Sequence, residues 1–118
     1  MKVVFGCDPN ATDFKLHLMD YVKGLGHEVF DYGSDDPIYA NVAIKCAKAV
    51  AAGEFDRGIV VCGTGIGVSI AANKVKGAYA ACIHDVYQAQ RAALSNNANI
   101  ITMGSQVIGE KLAECMVK

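Results

Sequence analysis

Several absences in this chain each remove a class of function. No run approaches the ~20 consecutive apolar residues of a membrane-spanning helix, so no membrane partner is expected. The amino terminus, Met1-Lys2-Val3-Val4-Phe5-Gly6, goes straight into a strand pattern and lacks the long apolar region of a secretory signal. Basic residues do not cluster, and 11 Lys and Arg against 12 Asp and Glu leave a net charge of −1, so nucleic acid is not an expected partner. There is no Cys-x-x-Cys pair. The 5 cysteines, Cys7, Cys46, Cys62, Cys82 and Cys115, are an odd number at wide spacing, which reads as reduced thiols in a cytoplasm rather than a disulfide framework or a zinc site. The Gly-Lys-Ser or Gly-Lys-Thr of a P-loop is missing. So is a dinucleotide fingerprint: the first strand-to-helix turn, Cys7-Asp8-Pro9-Asn10-Ala11, holds no glycine.

What is present is a chain of 118 residues, 53% hydrophobic and 19% charged, which is enough for one domain over residues 1–118 with a real core. Strand and helix patterns alternate. Strands are expected at Lys2 to Cys7, Glu28 to Tyr32, Gly58 to Val61, Ala78 to Ile83 and Asn99 to Met103. Helices are expected from about Thr12 to Lys23, with Phe14, Leu18, Val22 and Leu25 on one stripe, and from Ile38 to Ala52. Others are expected over Ser69 to Lys74, Val86 to Leu94 and from near Gln106 to the last residue, with a turn at Gly33 to Pro37. A repeated β-α-β unit of this kind predicts a three-layer α/β/α sandwich, Rossmann-like, around a five-stranded parallel sheet. Ligands of such sheets bind beyond the carboxyl ends of the strands. Here those ends are Cys7-Asp8, Gly33, Cys62-Gly63-Thr64, His84-Asp85 and Gly104-Ser105.

The run Cys62-Gly63-Thr64-Gly65-Ile66-Gly67-Val68-Ser69 is the most informative of these ends. It joins an apolar strand to a helix, and its glycines let backbone approach a ligand closely. Their amides, with the helix N-terminus that follows, suit an anion or an oxyanion. A cysteine beside such amides can act as base or nucleophile. The bland alternative is a buried thiol at a strand end. The same choice applies to Cys7, Cys46, Cys82 and Cys115, which read most simply as small buried hydrophobes. Asp8 could be a cap or turn residue, residues 96–99 could be turn chemistry, and a lone histidine such as His84 is more often structural.

These pieces together resemble the ribose-5-phosphate isomerase B and galactose-6-phosphate isomerase family. The matching residues are Phe5-Gly6-Cys7-Asp8, Asp35-Asp36-Pro37-Ile38-Tyr39-Ala40, and the glycine run on through Ala71-Ala72-Asn73-Lys74. Asn96-Asn97-Ala98-Asn99 and Met103-Gly104-Ser105 also match, in family order. The resemblance implies interconversion of an aldose phosphate and a ketose phosphate through an enediolate, with no metal and no cofactor. It implies Cys62 as the base that moves a proton between C1 and C2, with Thr64 beside the proton path. The amides of Gly63, Gly65, Ile66 and Gly67 would stabilise the enediolate oxygen, Asp8 would contact sugar hydroxyls, and Asn96 would reach the site across a subunit interface. Ser95, Asn99 and His84 are further candidates. A free thiol has a pKa of ~8.5, so such a base needs a local field that favours thiolate.

Departures from the family pattern sharpen the question of substrate. Pro9 and Ser95 stand where the family carries histidines, near the phosphate and at ring opening respectively. Asp36 stands for a usual tyrosine, and Lys118 ends the chain where longer relatives continue into arginine-bearing tails. Ribose 5-phosphate/ribulose 5-phosphate is the first expectation. A galactose-6-phosphate isomerase subunit and a tetrulose-phosphate isomerase are the alternatives. A homodimer or tetramer is expected, or a hetero-oligomer with a related subunit whose partner supplies the histidine. Two readings of another class remain: a non-catalytic sugar-phosphate-binding subunit, and a flavodoxin-like mononucleotide binder.

Overall fold

Alternate residues of the central strands bury on opposite faces of one sheet, and this sets the layering. Val3, Phe5 and Cys7 point into one core with Ile59, Val61 and Met103. Val4, Val60, Cys62 and Ile100 point into the other. Strands that are apolar on both faces need helices on both faces. The computed structural model describes residues 1–33 and 36–117, so Asp35 of the motif before the second helix, and the Lys118 end of the last helix, lie outside the described residues.

The strands are β1 (Lys2–Cys7), β2 (Glu28–Asp31), β3 (Arg57–Cys62), β4 (Ala80–Cys82) and β5 (Ile100–Gly104). The helices are α1 (Thr12–Gly24), α2 (Tyr39–Ala51), α3 (Ile66–Asn73), α4 (Val86–Leu94) and α5 (Glu110–Val117). The sheet is five-stranded in the order β2-β1-β3-β5-β4, and each adjacent pair is parallel. Residues of α1, α4 and α5 complete one core, among them Phe14, Leu18, Val22, Ala92, Ala113 and Met116. Residues of α2 and α3 complete the other, among them Ala43, Cys46, Ala47, Val68 and Ala72. The expected three-layer α/β/α architecture is therefore what forms.

Boundaries move where local hydrogen bonds compete. Helix α3 begins at Ile66 rather than Ser69, so the glycine run is itself the first turn. Helix α5 starts at Glu110 rather than near Gln106, because the Val107 and Ile108 amides both turn back to the Gly104 carbonyl at 3.0 and 3.1 Å. Strand β4 is shorter than expected, at Ala80–Cys82. Its start is completed by the Asn73 amide, which donates to the Ala80 carbonyl at 2.9 Å and accepts the Ala80 N–H at 2.8 Å, in place of a neighbouring strand.

The site's position follows from this topology. The helix leaving β1 lies on one face and the helix leaving β3 on the other, and β1 and β3 are neighbours. A crevice therefore opens between their carboxyl ends, as at the switch point of doubly wound sheets. The residues at that crevice are Asp8, after β1, and Cys62, which ends β3.

Two buried cysteines give the fold a pH dependence. Burial pushes the Cys46 thiol up from 9.0 to about 12, with nearby Lys45 opposing. Burial likewise pushes Cys7 up to about 11, against the pull of Lys15. Both thiols keep their protons in the folded chain at pH values where the unfolded thiols have lost them. Stability is thus fully present below about pH 9 and falls as pH rises toward the folded values, by at most about 1.4 kcal/mol per pH unit for each thiol. Denaturant midpoints measured from about pH 8 to about pH 10 should fall, and Cys46→Ala should flatten that slope relative to wild type.

Candidate active site

The loop from Cys62 to Ile66 is laid across the end of β5 with no space to spare. Gly65 has φ +81, and a β-carbon there would stand 2.8 Å from the Met103 carbonyl carbon. A β-carbon on Gly104 would stand 2.6 Å from the Gly63 oxygen and from Thr64 Cα. Glycine at both positions lets two backbones touch. The buried Thr102 hydroxyl then donates to the Gly65 carbonyl at 2.7 Å. The Ser105 and Gln106 amides donate to the Cys62 and Gly63 carbonyls at 2.9 and 3.0 Å.

This packing aims the Gly65 N–H at the Cys62 sulfur, 3.1 Å away. The Cys62 side chain faces the α2/α3 core and is 6% exposed. Thr64 is exposed, and its hydroxyl accepts the Ile66 N–H at 3.3 Å. Gly67 falls in the first turn of α3, where amides lack intrahelical acceptors. Cys62, Thr64 and the amides of Gly63 to Gly67 are thus brought together at one helix N-terminus. Asp8 joins them from β1: its N–H donates to the Val61 carbonyl at 3.4 Å, and its side chain accepts the Ala11 N–H at 3.2 Å. Asp8 caps the short 3-10 turn at Pro9–Ala11 while standing at the crevice. Cys7, the other cysteine at this edge, is held protonated by burial and is no base near neutrality.

The other candidates divide by edge. His84 follows β4 at the same carboxyl edge, two strands from Cys62, and is exposed. Ser95 and Asn96 follow α4 and are exposed at the opposite, amino edge of the sheet. Asn96 precedes β5, whose far end, Gly104, pairs with Cys62. That strand alone spans roughly 13 Å, so neither Ser95 nor Asn96 meets Cys62 within one chain. Asn99 also lies at the amino edge, where its amide accepts the Tyr79 N–H at 2.9 Å and donates to the Gly77 carbonyl at 3.0 Å. The Asp36 carboxyl accepts from the Asn41 amide and the Ile38 N–H, which hold it below the usual carboxylate range.

Sequence reasoning missed three neighbours of the loop. The Tyr39 ring presses on Gly67, its hydroxyl 2.9 Å from where a β-carbon would stand. The Gln106 side chain lies over Gly63 at 3.2 Å by the same measure. The Cys82 thiol sits 4.0 Å from the Thr64 carbonyl. The glycines at 67 and 63 were the available signal, since each marks a place where another residue comes close.

Comparison with known proteins agrees with this geometry. The ribose/galactose isomerase family model matches residues 3–118. D-erythrulose-4-phosphate isomerase of Pectobacterium atrosepticum is 47% identical over 118 residues, covering 97% of this chain and 78% of that protein. Galactose-6-phosphate isomerase subunit LacB of Clostridium acetobutylicum is 41% identical, covering 99% of this chain and 69% of that one. The structure of Clostridium thermocellum ribose-5-phosphate isomerase B superposes with a TM-score of 0.94 at 42% identity, over 99% of this chain and 81% of that one. An α/β/α sheet with a cysteine-bearing glycine loop at its switch point is here an enzyme fold for aldose–ketose isomerisation of sugar phosphates. The chain belongs to the ribose/galactose isomerase family.

The Gly104 contact can be tested directly. Gly104→Ala must lift the loop off β5 and part the Gly65 amide from the Cys62 sulfur. Overpacking of this kind costs ~1–3 kcal/mol, while misplacing a reacting group by ~1 Å can cost ~100-fold in rate. The variant is expected to keep its far-ultraviolet circular dichroism and lose isomerase kcat by ~100-fold.

Proposed function

We propose that this chain interconverts an aldose phosphate and its ketose through an enediolate, with Cys62 as the proton-transferring base. The observation that carries the reading is the Gly65 N–H donated to the Cys62 sulfur in the glycine loop that opens α3. Preorganised amides suit the oxygen on which charge develops in the enediolate. A thiolate at the strand end suits removal of a proton α to a carbonyl. Thr64 lines the proton path, and Asp8 orders sugar hydroxyls.

The site is completed by a second subunit. Asn96 cannot serve Cys62 of its own chain, and the helix before it, α4, carries exposed apolar side chains at both ends. Leu94 is 70% exposed and Tyr87 71%. An open groove of about 710 Å³ runs beside them, lined among others by Met1, Val86, Leu94 and Val117. A second copy, or a related subunit as in two-subunit galactose-6-phosphate isomerases, fits that surface and brings Asn96 to its neighbour's Cys62. Cys62→Ser should cut turnover by ~10²–10⁴-fold without unfolding, since a hydroxyl is a far weaker base than a thiolate at neutral pH. Asn96→Ala should also be impaired. After subunit exchange, a mixture of the two variants should recover about a quarter of wild-type activity, because half of the dimers are hybrids and each hybrid holds one intact site. Full activity of Cys62→Ser removes the base, and absence of recovery on mixing removes the shared site.

Two substrates compete. Ribose 5-phosphate is the first, and it must open its ring before C2 is accessible. A tetrulose phosphate is the second. A four-carbon sugar phosphorylated at its terminal hydroxyl has no hydroxyl left to close a furanose, so it needs no ring-opening group. Ser95, an exposed residue at the end of α4 with no titrating side chain, favours the second. Ring-opening acid–base groups typically contribute ~10²–10⁴ in rate. Ser95→His is therefore expected to raise kcat/KM on ribose 5-phosphate more than on erythrulose 4-phosphate. If wild type already turns over ribose 5-phosphate efficiently and the ratio does not change, the tetrulose reading fails and His84→Ala is the next test.

A further inference from the structure

We propose that the ion pair between buried Lys15 and part-exposed Asp31 is a positioning device for the substrate edge of the site, acting through Gly33 and Cys7 on Asp8. The proposal rests on the isomerase reading, with Asp8 in contact with substrate. Lys15 is the one buried charged residue among the described residues, 1% exposed on the apolar stripe of α1 that holds Phe14, Leu18 and Val22. Its ammonium donates to both oxygens of Asp31, at 2.7 and 2.9 Å. Asp31 is the last residue of β2, and one of those same oxygens also accepts the Gly33 N–H at 2.8 Å. The Gly33 carbonyl in turn accepts the Cys7 N–H at 3.3 Å, and Cys7 is followed by Asp8. A continuous path therefore runs from a buried charge to the carboxylate at the crevice, and each link is a hydrogen bond or a peptide bond.

Two observations say that the path positions rather than merely stabilises. The β1/β2 ladder pairs residues only as far as Phe5 with Asp31. Beyond it, the chain at Gly33 adjoins a cavity of about 200 Å³, bounded by Cys7, Tyr32, Gly33, Asp36, Asn41 and Lys45 among others. Gly33 has φ +108, a conformation natural to glycine, so its own backbone does not fix it. Among the described residues its place depends on the Asp31 carboxylate that holds its amide and on the Cys7 N–H that holds its carbonyl. In addition, the Lys15 ammonium has to be taken out of water, whereas an apolar side chain of similar volume would bury without that cost. Core packing alone would be served by another Leu or Met at position 15. A charge kept there is explained by the geometry it imposes on Asp31, and Lys15 is a positioning residue rather than a catalytic one.

The test uses Lys15→Met, which leaves Asp31 at a half-open site where water can solvate it. Thermal unfolding establishes that the variant is folded. KM for the phosphosugar that wild type turns over is expected to rise ~10–100-fold, because the sugar hydroxyls lose an aligned partner. kcat should stay within about threefold, because binding is lost about equally in ground and transition states. In an Asp8→Ala background the same substitution should change KM by less than about twofold, because both changes act through one group. An unchanged KM, a fall confined to kcat, or the same rise in KM without Asp8 would each overturn the proposal. If Lys15→Met does not fold, Lys15→Met/Asp31→Leu removes both charges and takes its place in the same measurements. If that variant also fails to fold, the pair carries the fold and not the site, and the proposal is wrong. Failure of the isomerase reading looks different: wild type itself would turn over none of the four-, five- and six-carbon phosphosugars, and the proposal would fall with it.

Discussion

The contact between the Gly63–Gly65 backbone and the end of β5 is the constraint on which the site depends. Main chain lies against main chain where a β-carbon on Gly104 would be 2.6 Å from the Gly63 oxygen. Nothing softer would hold the loop in the same place. A side chain in that gap could change rotamer, whereas peptide groups in contact cannot move without bending the strand. The Thr102 hydroxyl adds a buried hydrogen bond to the Gly65 carbonyl at 2.7 Å, which fixes the direction of the next peptide. The Gly65 N–H then has one direction available, toward the Cys62 sulfur. The order of causes runs from small residues to close backbone approach, to a fixed amide, to an oriented sulfur.

Most of the architecture was legible because the sheet is buried on both sides. Runs such as Val3-Val4-Phe5 and Ile59-Val60-Val61 must bury every residue, and helices between them must cover both faces. The boundaries that moved were decided by individual hydrogen bonds rather than by the hydrophobic pattern. Helix α5 starts late because the residues after β5 turn back on Gly104 to clear the glycine loop. Strand β4 is short because Tyr79, just before it, gives its N–H to the Asn99 side chain rather than to strand backbone. Neither effect appears in local periodicity.

The site was legible in part, for a similar reason. Cys62, Thr64 and the glycines are contiguous, so one short motif displays them together. Asp8 is separated from them in sequence but adjacent in space because β1 and β3 pair, and the switch-point rule anticipates that adjacency. Tyr39 and Gln106 were missed because they enter from α2 and from the turn after β5, with no pattern of their own. Only the glycines opposite them hinted at their approach. For Asn99 an asparagine beside a strand looks the same in sequence whether it faces a ligand or ties down a turn, and in the fold it bonds the backbone of Tyr79 and Gly77.

The two edges of the sheet also explain why a family site can lose individual groups and remain a site. The carboxyl edge holds the amides, the thiol and the Asp8 carboxylate, all tied to backbone that the core defines. The amino edge holds Ser95 and Asn96, exposed at the end of a helix and with no counterpart buried against them. Substitution at the first edge disturbs close packing. Substitution at the second changes only exposed surface. Position 95 can therefore change while the close packing around Cys62 stays intact. That asymmetry is consistent with relatives above 40% identity that act on four-carbon and six-carbon phosphosugars. The fold sets position 95 and Cys62 at opposite edges of the sheet, so a change at one leaves the packing at the other untouched.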